Sequence, residues 1–228
     1  MLVDADDTLW ENNVHFLHVT DRFLHELDAL GVQRDRALET LHQTELRNIH
    51  RYGYGSRSYA RSIEEAFAFL VPHGDSATVS NLSSLAAAIF KRDTVDLLPK
   101  VPEALERLSE HHRLILVTKG DEEEQRWKLA CSGLAGYFAA IEVVPEKNEQ
   151  TYRDLMQLWE LDPERTWMIG NSPKSDINPA LAAGMHAVLV PHAQTWTLEL
   201  EEIDHVSDRL IVVDSLWELA TLFVPSET

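Results

Sequence analysis

The sequence has a single cysteine, no basic residues at its N-terminus and no long apolar run. Each of these absences argues against a class of protein. One cysteine, Cys131, excludes an intramolecular disulfide framework and fits a reducing cytoplasm. The chain opens Met-Leu-Val and reaches acidic residues at once, which is unlike a secretory signal. The longest apolar runs, such as 86–90 and 187–191, are far shorter than a membrane span. We therefore expect a soluble cytoplasmic protein.

Basic residues are also scarce, with 20 Lys and Arg against 38 Asp and Glu, a net charge of -18. Such a charge repels phosphate backbones and anionic headgroups, so we expect neither nucleic acid nor a membrane as a partner. A small anionic ligand can still bind locally. The 228 residues suffice for one large domain or two of unequal size, and the pattern leaves the oligomeric state open.

Two sequence patterns divide the chain. From residue 14 to about residue 90, apolar residues recur at helical spacing, and glycines and prolines punctuate about four helices. After Pro99, apolar runs of strand length alternate with amphipathic stretches, which is typical of a parallel sheet covered by helices on both faces. Strands are predicted at 2–3, 113–118, 141–144, 166–169, 187–190 and 210–213, and helices at 101–110, 121–132, 149–160, 175–184 and 215–223.

The sequence therefore predicts an α/β fold, a doubly wound parallel sheet of Rossmann-like type with an inserted α-helical domain. Residues 1–12 and 93–228 form the sheet domain in this prediction, and residues 13–92 form the helical one. A first strand of two or three residues is short, which leaves open whether the natural chain begins upstream of Met1.

Four polar segments each fall where a predicted strand ends, and ligands bind outside the carboxyl ends of the strands in open parallel sheets. The segments are Asp4-Ala-Asp-Asp-Thr-Leu9, Val117-Thr-Lys-Gly120, Glu146-Lys147 and Gly170-Asn-Ser-Pro-Lys-Ser-Asp176. Alone, Asp-x-Asp-x-Thr is a weak pattern in an acidic chain. The order of the four segments strengthens it, and over its whole length the sequence resembles the haloacid dehalogenase superfamily of hydrolases. The helical insert corresponds to that family's type-one cap.

The first segment supplies the groups that phosphoryl transfer requires, which are a nucleophile and a proton donor for the leaving oxygen. The carboxylate of Asp4 would attack phosphorus and form an aspartyl-phosphate. Asp6 lies on the same side of an extended segment and would protonate the departing alkoxide, then activate water. A crowd of carboxylates also favours a proton on one of them.

Carboxylates beside a phosphate dianion require a divalent cation, and hard oxygen ligands point to Mg²⁺. The resemblance implies that the metal is held by the Asp4 carboxylate, the backbone carbonyl of Asp6 and acids of the last segment. Asp176 matches one of those acids, whereas Asn171 stands where many members have the other. An amide oxygen can bind Mg²⁺ directly or through water, and we expect a weaker affinity.

The remaining segments supply groups for the phosphate. Thr118 would hydrogen-bond a phosphate oxygen, and Lys147 would neutralise charge on the phosphate and on Asp4 while Asp176 orients it. Lys119, directly after Thr118, is a further candidate for a substrate contact. Thr8 is expected to close the first loop through a backbone hydrogen bond.

The helical insert contains a basic stretch. Between Glu45 and Glu64 there is no acidic residue, yet four arginines and three tyrosines occur there. We hypothesise that Arg51 and Arg57 bind the leaving group of the substrate. The alternative is a solvated basic helix that pairs with the acidic sheet domain.

These residues predict a Mg²⁺-dependent phosphatase that hydrolyses a small phosphate monoester, with Asp4 as nucleophile and Asp6 as general acid and base. A phosphosugar mutase is an alternative because it shares every core residue. A haloacid dehalogenase-type hydrolase is another, although a halide needs no proton donor and Asp6 argues against it. Asn171 gives some weight to a non-catalytic binding protein that has kept the fold.

Overall fold

A computed structural model describes residues 1–91, 94–203 and 208–224. The chain divides into two compact units, one formed by Met1–Asn13 with Thr94–Thr228 and the other by Val14–Asp93. The first predicted boundary, between residues 12 and 13, lies one residue before this division. The second, between residues 92 and 93, falls outside the described residues.

The first unit contains a parallel sheet, whose strands are β1 (Leu2–Val3), β2 (Ile115–Lys119), β3 (Ala140–Val144), β4 (Trp167–Gly170), β5 (His186–Leu189) and β6 (Leu210–Val212). The order of strands in the sheet is β3-β2-β1-β4-β5-β6. Every neighbouring pair is parallel, and β1 lies in the middle with Val3 opposite both Leu116 and Ile169. The prediction of a doubly wound parallel α/β sheet is confirmed, and no strand bound differs from the predicted one by more than two residues.

The second unit is helical, and its helices pack on a core of its own. The helices are α1 (Asn13–Ala29), α2 (Arg34–Tyr52), α3 (Ser56–Leu70) and α4 (Ser76–Ala88), followed by a 3-10 turn at Ile89–Lys91. Gly53 and Gly55 join α2 to α3 with φ angles of 80° and 115°, which side chains rarely tolerate. Each helix contributes buried apolar residues, among them Phe23, Leu41, Ile63 and Leu82. The predicted helical insert is therefore present.

Helices cover both faces of the sheet because successive strand residues point to opposite sides. The helices of the first unit, which contains the sheet, are α5 (Val101–Ser109), α6 (Glu122–Ser132), α7 (Glu149–Leu158), α8 (Asn178–Ala182) and α9 (Leu216–Phe223). A π-helical turn at Pro173–Ile177 precedes α8. Val3, Leu116 and Ile169 pack in one apolar cluster with α5, α6 and α9. Leu2, Ile115 and Met168 pack in another with α7 and α8. Of the described helices, none combines the length and apolar character needed to cross a membrane.

Candidate active site

The predicted site residues follow neighbouring parallel strands and therefore meet at one edge of the sheet. Asp4 comes directly after β1, Lys147 follows β3, and Asn171 follows β4. Thr118 is buried in β2, the strand beside β1. The expected convergence at the carboxyl ends of the strands is thus observed.

A buried lysine joins two buried carboxylates in this site. Lys147 Nζ donates hydrogen bonds to Oδ1 of Asp4 and to Oδ1 of Asp176, the latter at 2.8 Å. The side chain of Lys147 is 2% exposed, so this ion pair network is largely shielded from water. Two negative charges consequently share one positive charge.

The surplus of negative charge shows in the ionisation of these groups. Burial, and then the charge of Asp176, raises the pKa of Asp4 to about 7, against the lowering effect of Lys147. Burial alone would lower the pKa of Lys147, but the charges of Asp176 and Asp4 raise it. The Lys147 ammonium group is therefore protonated. Its positive charge is not sufficient to offset the burial of Asp4 and the charge of Asp176.

A tight loop after β1 turns the Thr8 hydroxyl back over Asp4. The amides of Thr8 and Leu9 donate to the carbonyl of Ala5 at 3.2 and 2.8 Å, and Asp7 adopts a left-handed conformation with φ 58°. Thr8 Oγ1 lies 3.0 Å from Asp4 Oδ2 and 3.3 Å from Asn171 Oδ1. The expected backbone hydrogen bond of Thr8 that closes the loop is therefore present, while its hydroxyl lies between two predicted metal ligands.

Asp176 reaches this edge because the chain approaches itself closely after β4. A Cβ atom on Gly170 would overlap the Asp176 carboxylate, so only glycine fits there. Oδ2 of Asp176 accepts the backbone amide of Ser172 at 3.0 Å. This contact fixes the carboxylate beside Lys147.

Asp6 points toward helix α6, and three side-chain donors, two of them on that helix, hold its carboxylate. Lys128 Nζ donates to both oxygens at 2.7 and 2.8 Å, Gln125 Nε2 donates to Oδ2 at 2.8 Å, and Trp10 Nε1 donates to Oδ1 at 2.7 Å. Burial alone would raise the pKa of Asp6, but the Lys128 charge and these hydrogen bonds lower it. The proton that a crowd of carboxylates favours therefore does not lie on Asp6 in this arrangement.

Lys119 lies near the same edge, but its ammonium group already has protein acceptors. Nζ donates to Glu199 Oε1 at 2.6 Å, to Ser175 Oγ at 2.8 Å and to Glu146 Oε1 at 3.3 Å. An ammonium group has three hydrogens, so these contacts argue against a direct contact with the substrate. Its predicted substrate role stays a prediction.

Arg51 and Arg57 belong to the helical unit. Arg51 lies at the end of α2 with its guanidinium 5.3 Å from the centre of the Tyr52 ring, and Arg61 stacks on that ring at 4.6 Å. Arg57 stacks on Phe90 at 5.4 Å. Both predicted residues are exposed, so the hypothesis that they bind the substrate stays a prediction.

The donors at the sheet edge fit a hard divalent cation. Asp4 and Asp176 offer carboxylate oxygens and Asn171 offers an amide oxygen, which are the ligand types that Mg²⁺ prefers. The buried negative charge that Lys147 leaves uncompensated is an independent reason for a cation here. The predicted ligands are thus chemically suited to Mg²⁺.

A second group with metal-ligand chemistry lies beside the first loop. Single atoms of Asp7, Glu11 and His192 lie within 4.8 Å of one another. Asp7 Oδ1 accepts the backbone amides of Asn12 and Asn13 at 2.8 and 3.0 Å, at the start of α1, and His192 Nε2 lies 3.3 Å from Glu11 Oε2. Burial raises the pKa of Asp7 to about 6. Asp7 therefore already has protein partners, whereas Oε2 of Glu11 accepts no hydrogen bond within the described residues.

Several residues that complete the site were not predicted from the sequence. Gln125 and Lys128 lie three residues apart on one turn of α6, a spacing that is also typical of a solvated helix face. Thr195 lies on a loop after β5 whose sequence has no periodicity, and its Oγ1 accepts a hydrogen bond from Asn171 Nδ2 at 2.9 Å. Glu199 binds Lys119 and the hydroxyls of Ser172 and Ser175 from the same region.

Comparison with protein families gives a match over most of the chain. Residues 1–184 match the family model described as a hydrolase, haloacid dehalogenase-like hydrolase. Among curated proteins, a phosphoserine phosphatase from Thermus thermophilus is 32% identical over 115 residues. That match covers 46% of this chain and 45% of the Thermus protein, so the chain aligns with less than half of this relative.

Solved structures share the architecture over nearly the full length. A haloacid dehalogenase-like family hydrolase from Xanthomonas campestris is 27% identical, with a TM-score of 0.81, 97% of this chain covered and 92% of that one. An L-2-haloacid dehalogenase from Xanthobacter autotrophicus is 16% identical, with a TM-score of 0.62 and coverage of 99% and 98%. At that identity the second likeness concerns the fold alone.

Proposed function

The chain belongs to the haloacid dehalogenase-like hydrolases, and from that premise we propose that it is a Mg²⁺-dependent phosphatase acting on a small phosphate monoester. The observation that carries this proposal is the Lys147 ammonium group shared by Asp4 and Asp176. It supports a nucleophilic carboxylate next to a fixed positive charge, which is what an incoming phosphate dianion requires.

Two displacements at phosphorus make up the reaction. In the first, an oxygen of Asp4 forms a bond to phosphorus while the ester bond breaks, which gives an aspartyl-phosphate and an alcohol. In the second, water attacks phosphorus and releases inorganic phosphate and the free Asp4 carboxylate. Lys147 offsets charge on the phosphate, and the Thr118 hydroxyl donates to a phosphate oxygen.

A bound Mg²⁺ would withdraw charge from the phosphate oxygens, and its ligands would be Asp4, the Asp6 carbonyl, Asn171 and Asp176. The oxygen donor set and the surplus buried charge support this assignment. Because one ligand is an uncharged amide, we expect a weaker affinity than for an all-carboxylate site.

Asp6 is the proposed acid and base, and its contacts bear on both steps. Paired with Lys128 it is a carboxylate, which suits activation of water in the second step. For the first step it must carry a proton to the leaving alkoxide, so the pair with Lys128 has to open before the ester bond breaks. In this proposal Arg51 and Arg57 select the leaving group.

A carbon–halogen hydrolase is the main competing activity, since dehalogenases share the fold. A halide leaves without a proton, so that chemistry gives Asp6 no role. The relative from Thermus thermophilus is named for phosphate ester hydrolysis, which supports phosphate as the substrate class. O-phospho-L-serine therefore belongs in the first substrate panel.

The test is release of inorganic phosphate from an aryl phosphate and from O-phospho-L-serine, with Mg²⁺ and with EDTA. Wild type, Asp4→Asn and Asp154→Asn are compared, the last being an exposed matched control on α7. Halide release from 2-chloropropionate is measured in parallel. We expect metal-dependent turnover in wild type and Asp154→Asn, and a loss of at least about a thousandfold in Asp4→Asn.

Two outcomes would overturn the proposal. Halide release that depends on Asp4 but not on Mg²⁺ would assign the dehalogenase chemistry. A wild type that is inert on a broad panel of phosphate esters and on 2-chloropropionate would favour a binding protein with the family fold.

A further inference from the structure

Asn171 differs from a carboxylate in that only one end of its side chain can bind a cation. An amide has one oxygen acceptor and one NH₂ donor, whereas both oxygens of a carboxylate are equivalent ligands. If the Asn171 amide turned over, it would present hydrogens to Asp4 and to the metal. The site therefore needs a device that fixes the orientation of this amide.

The loop after β5 contains such a device. Asn171 Nδ2 donates to Thr195 Oγ1 at 2.9 Å, and Thr195 Oγ1 lies 3.0 Å from the carbonyl oxygen of His192. A carbonyl can only accept, so the single hydroxyl hydrogen of Thr195 is committed to His192. The hydroxyl can then only accept from Asn171, and an amide oxygen turned toward it would face another acceptor.

The other end of the amide is consistent with this orientation. Asn171 Oδ1 lies 3.3 Å from Thr8 Oγ1, and that same hydroxyl lies 3.0 Å from Asp4 Oδ2. The amide oxygen thus points to the place where the carboxylate of the proposed nucleophile lies. Asn171 is 7% exposed, so water competes poorly for either end of its side chain.

We propose that Thr195 is a positioning residue that holds the Asn171 amide with its oxygen toward a divalent cation bound at Asp4. This inference rests on the proposed function only for the presence of the cation. Outer partners that orient a metal ligand typically contribute about 10- to 100-fold to metal affinity. Thr195 makes Asn171 act as an oxygen ligand, although an amide has one oxygen where a carboxylate has two.

The experiment is calorimetric titration of the full chain with Mg²⁺ alone, which reports binding without any turnover. Thr195→Val keeps the shape but removes the acceptor, and we expect Mg²⁺ to bind at least about tenfold more weakly. Thr195→Ser keeps the hydroxyl and should stay within about threefold of wild type. Thr197→Val, an exposed threonine of the same loop, serves as the matched control. Urea unfolding of each variant verifies that it is folded, with Thr195→Ala as a second variant.

Asn171→Asp separates positioning from a general effect on the fold. A carboxylate offers an oxygen in either orientation, so Thr195→Val should weaken Mg²⁺ binding by less than about threefold in the Asn171→Asp background. Equal losses in both backgrounds, no loss in either, or a wild type that binds no Mg²⁺ would overturn this proposal. Absence of phosphatase turnover with the coupling intact would refute the proposed activity and leave the positioning role standing.

Discussion

Lys128 donates hydrogen bonds to both carboxylate oxygens of Asp6, at 2.7 and 2.8 Å, and also to Asn12 Oδ1 at 3.1 Å. The two side chains are 10% and 21% exposed, so the pair is mostly removed from water. A buried charge whose partner is deleted pays the cost of desolvation without compensation. The pair therefore couples the stability of the sheet unit to the proposed acid and base.

Lys128→Met should lower the free energy of unfolding at pH 7 by ~2–4 kcal/mol, because it leaves the Asp6 carboxylate buried and unpaired. In the Asp6→Asn background the same change should cost less than about 1 kcal/mol, since no charge is then left alone. Urea unfolding of the four proteins measures this, with the exposed Lys100→Met as control. Equal costs in both backgrounds would mean that packing of the lysine stem, and not the pair, is responsible.

The Lys147 bridge leads to a second prediction, which separates stability from activity. Lys147→Met leaves Asp4 and Asp176 buried without their shared cation, and should cost ~3–5 kcal/mol of stability and at least about 100-fold in kcat. Adding Asp176→Asn should restore part of the stability but none of the activity, since the charge beside Asp4 stays absent. Unfolding midpoints and phosphate release are measured on the same preparations. Recovery of turnover in the double variant would contradict a direct role of Lys147.

The fold could be predicted from the sequence because it follows from the periodicity of apolar residues. The residues that meet in the site could be predicted because they follow the predicted strands. Strand-length apolar runs predicted the parallel sheet, and parallel strands necessarily bring Asp4, Lys147 and Asn171 to one edge. Lys147 could be predicted as a site residue from its position after a predicted strand alone. Local order along the chain therefore carried this information.

The partners of those residues depend on packing between distant segments and left no periodic signal. Gln125 and Lys128 lie on a helix whose first turn is Glu122-Glu-Glu124, and nothing in this polar pattern indicates that the helix faces Asp6. Thr195 is 24 residues from Asn171 and lies on an irregular loop. The protein groups that accept hydrogen bonds from Lys119 could not be predicted either, since Glu199 is 80 residues away.

The basic stretch of the helical unit gives a third prediction, about specificity. Arg51 and Arg57 are exposed and stack on Tyr52 and Phe90, and each stacking contact contributes ~0.5–1 kcal/mol to stability. If they bind the leaving group, Arg51→Ala or Arg57→Ala should change the ratio of kcat/KM between two phosphate esters by at least about tenfold. Arg36→Ala, exposed in the first turn of α2, is the control. Unchanged ratios in both variants would leave the stretch as a solvated basic surface.

Glu45 on α2 gives a prediction about pH, because burial raises the pKa of its carboxyl from 4.5 to about 8. Between those values the folded protein keeps a proton that the unfolded chain releases, so stability falls as pH rises through this range and levels off above about pH 8. The full difference corresponds to at most ~5 kcal/mol. Glu45→Gln cannot ionise and should remove this slope, making the variant more stable than wild type at pH 8.5 and similar to it at pH 5. Urea midpoints at both pH values measure the effect, and the exposed Glu39→Gln on the same helix should keep the wild-type slope. A slope that persists in Glu45→Gln would assign the pH dependence to other groups, because the half-buried carboxyl would then already be ionised at neutral pH.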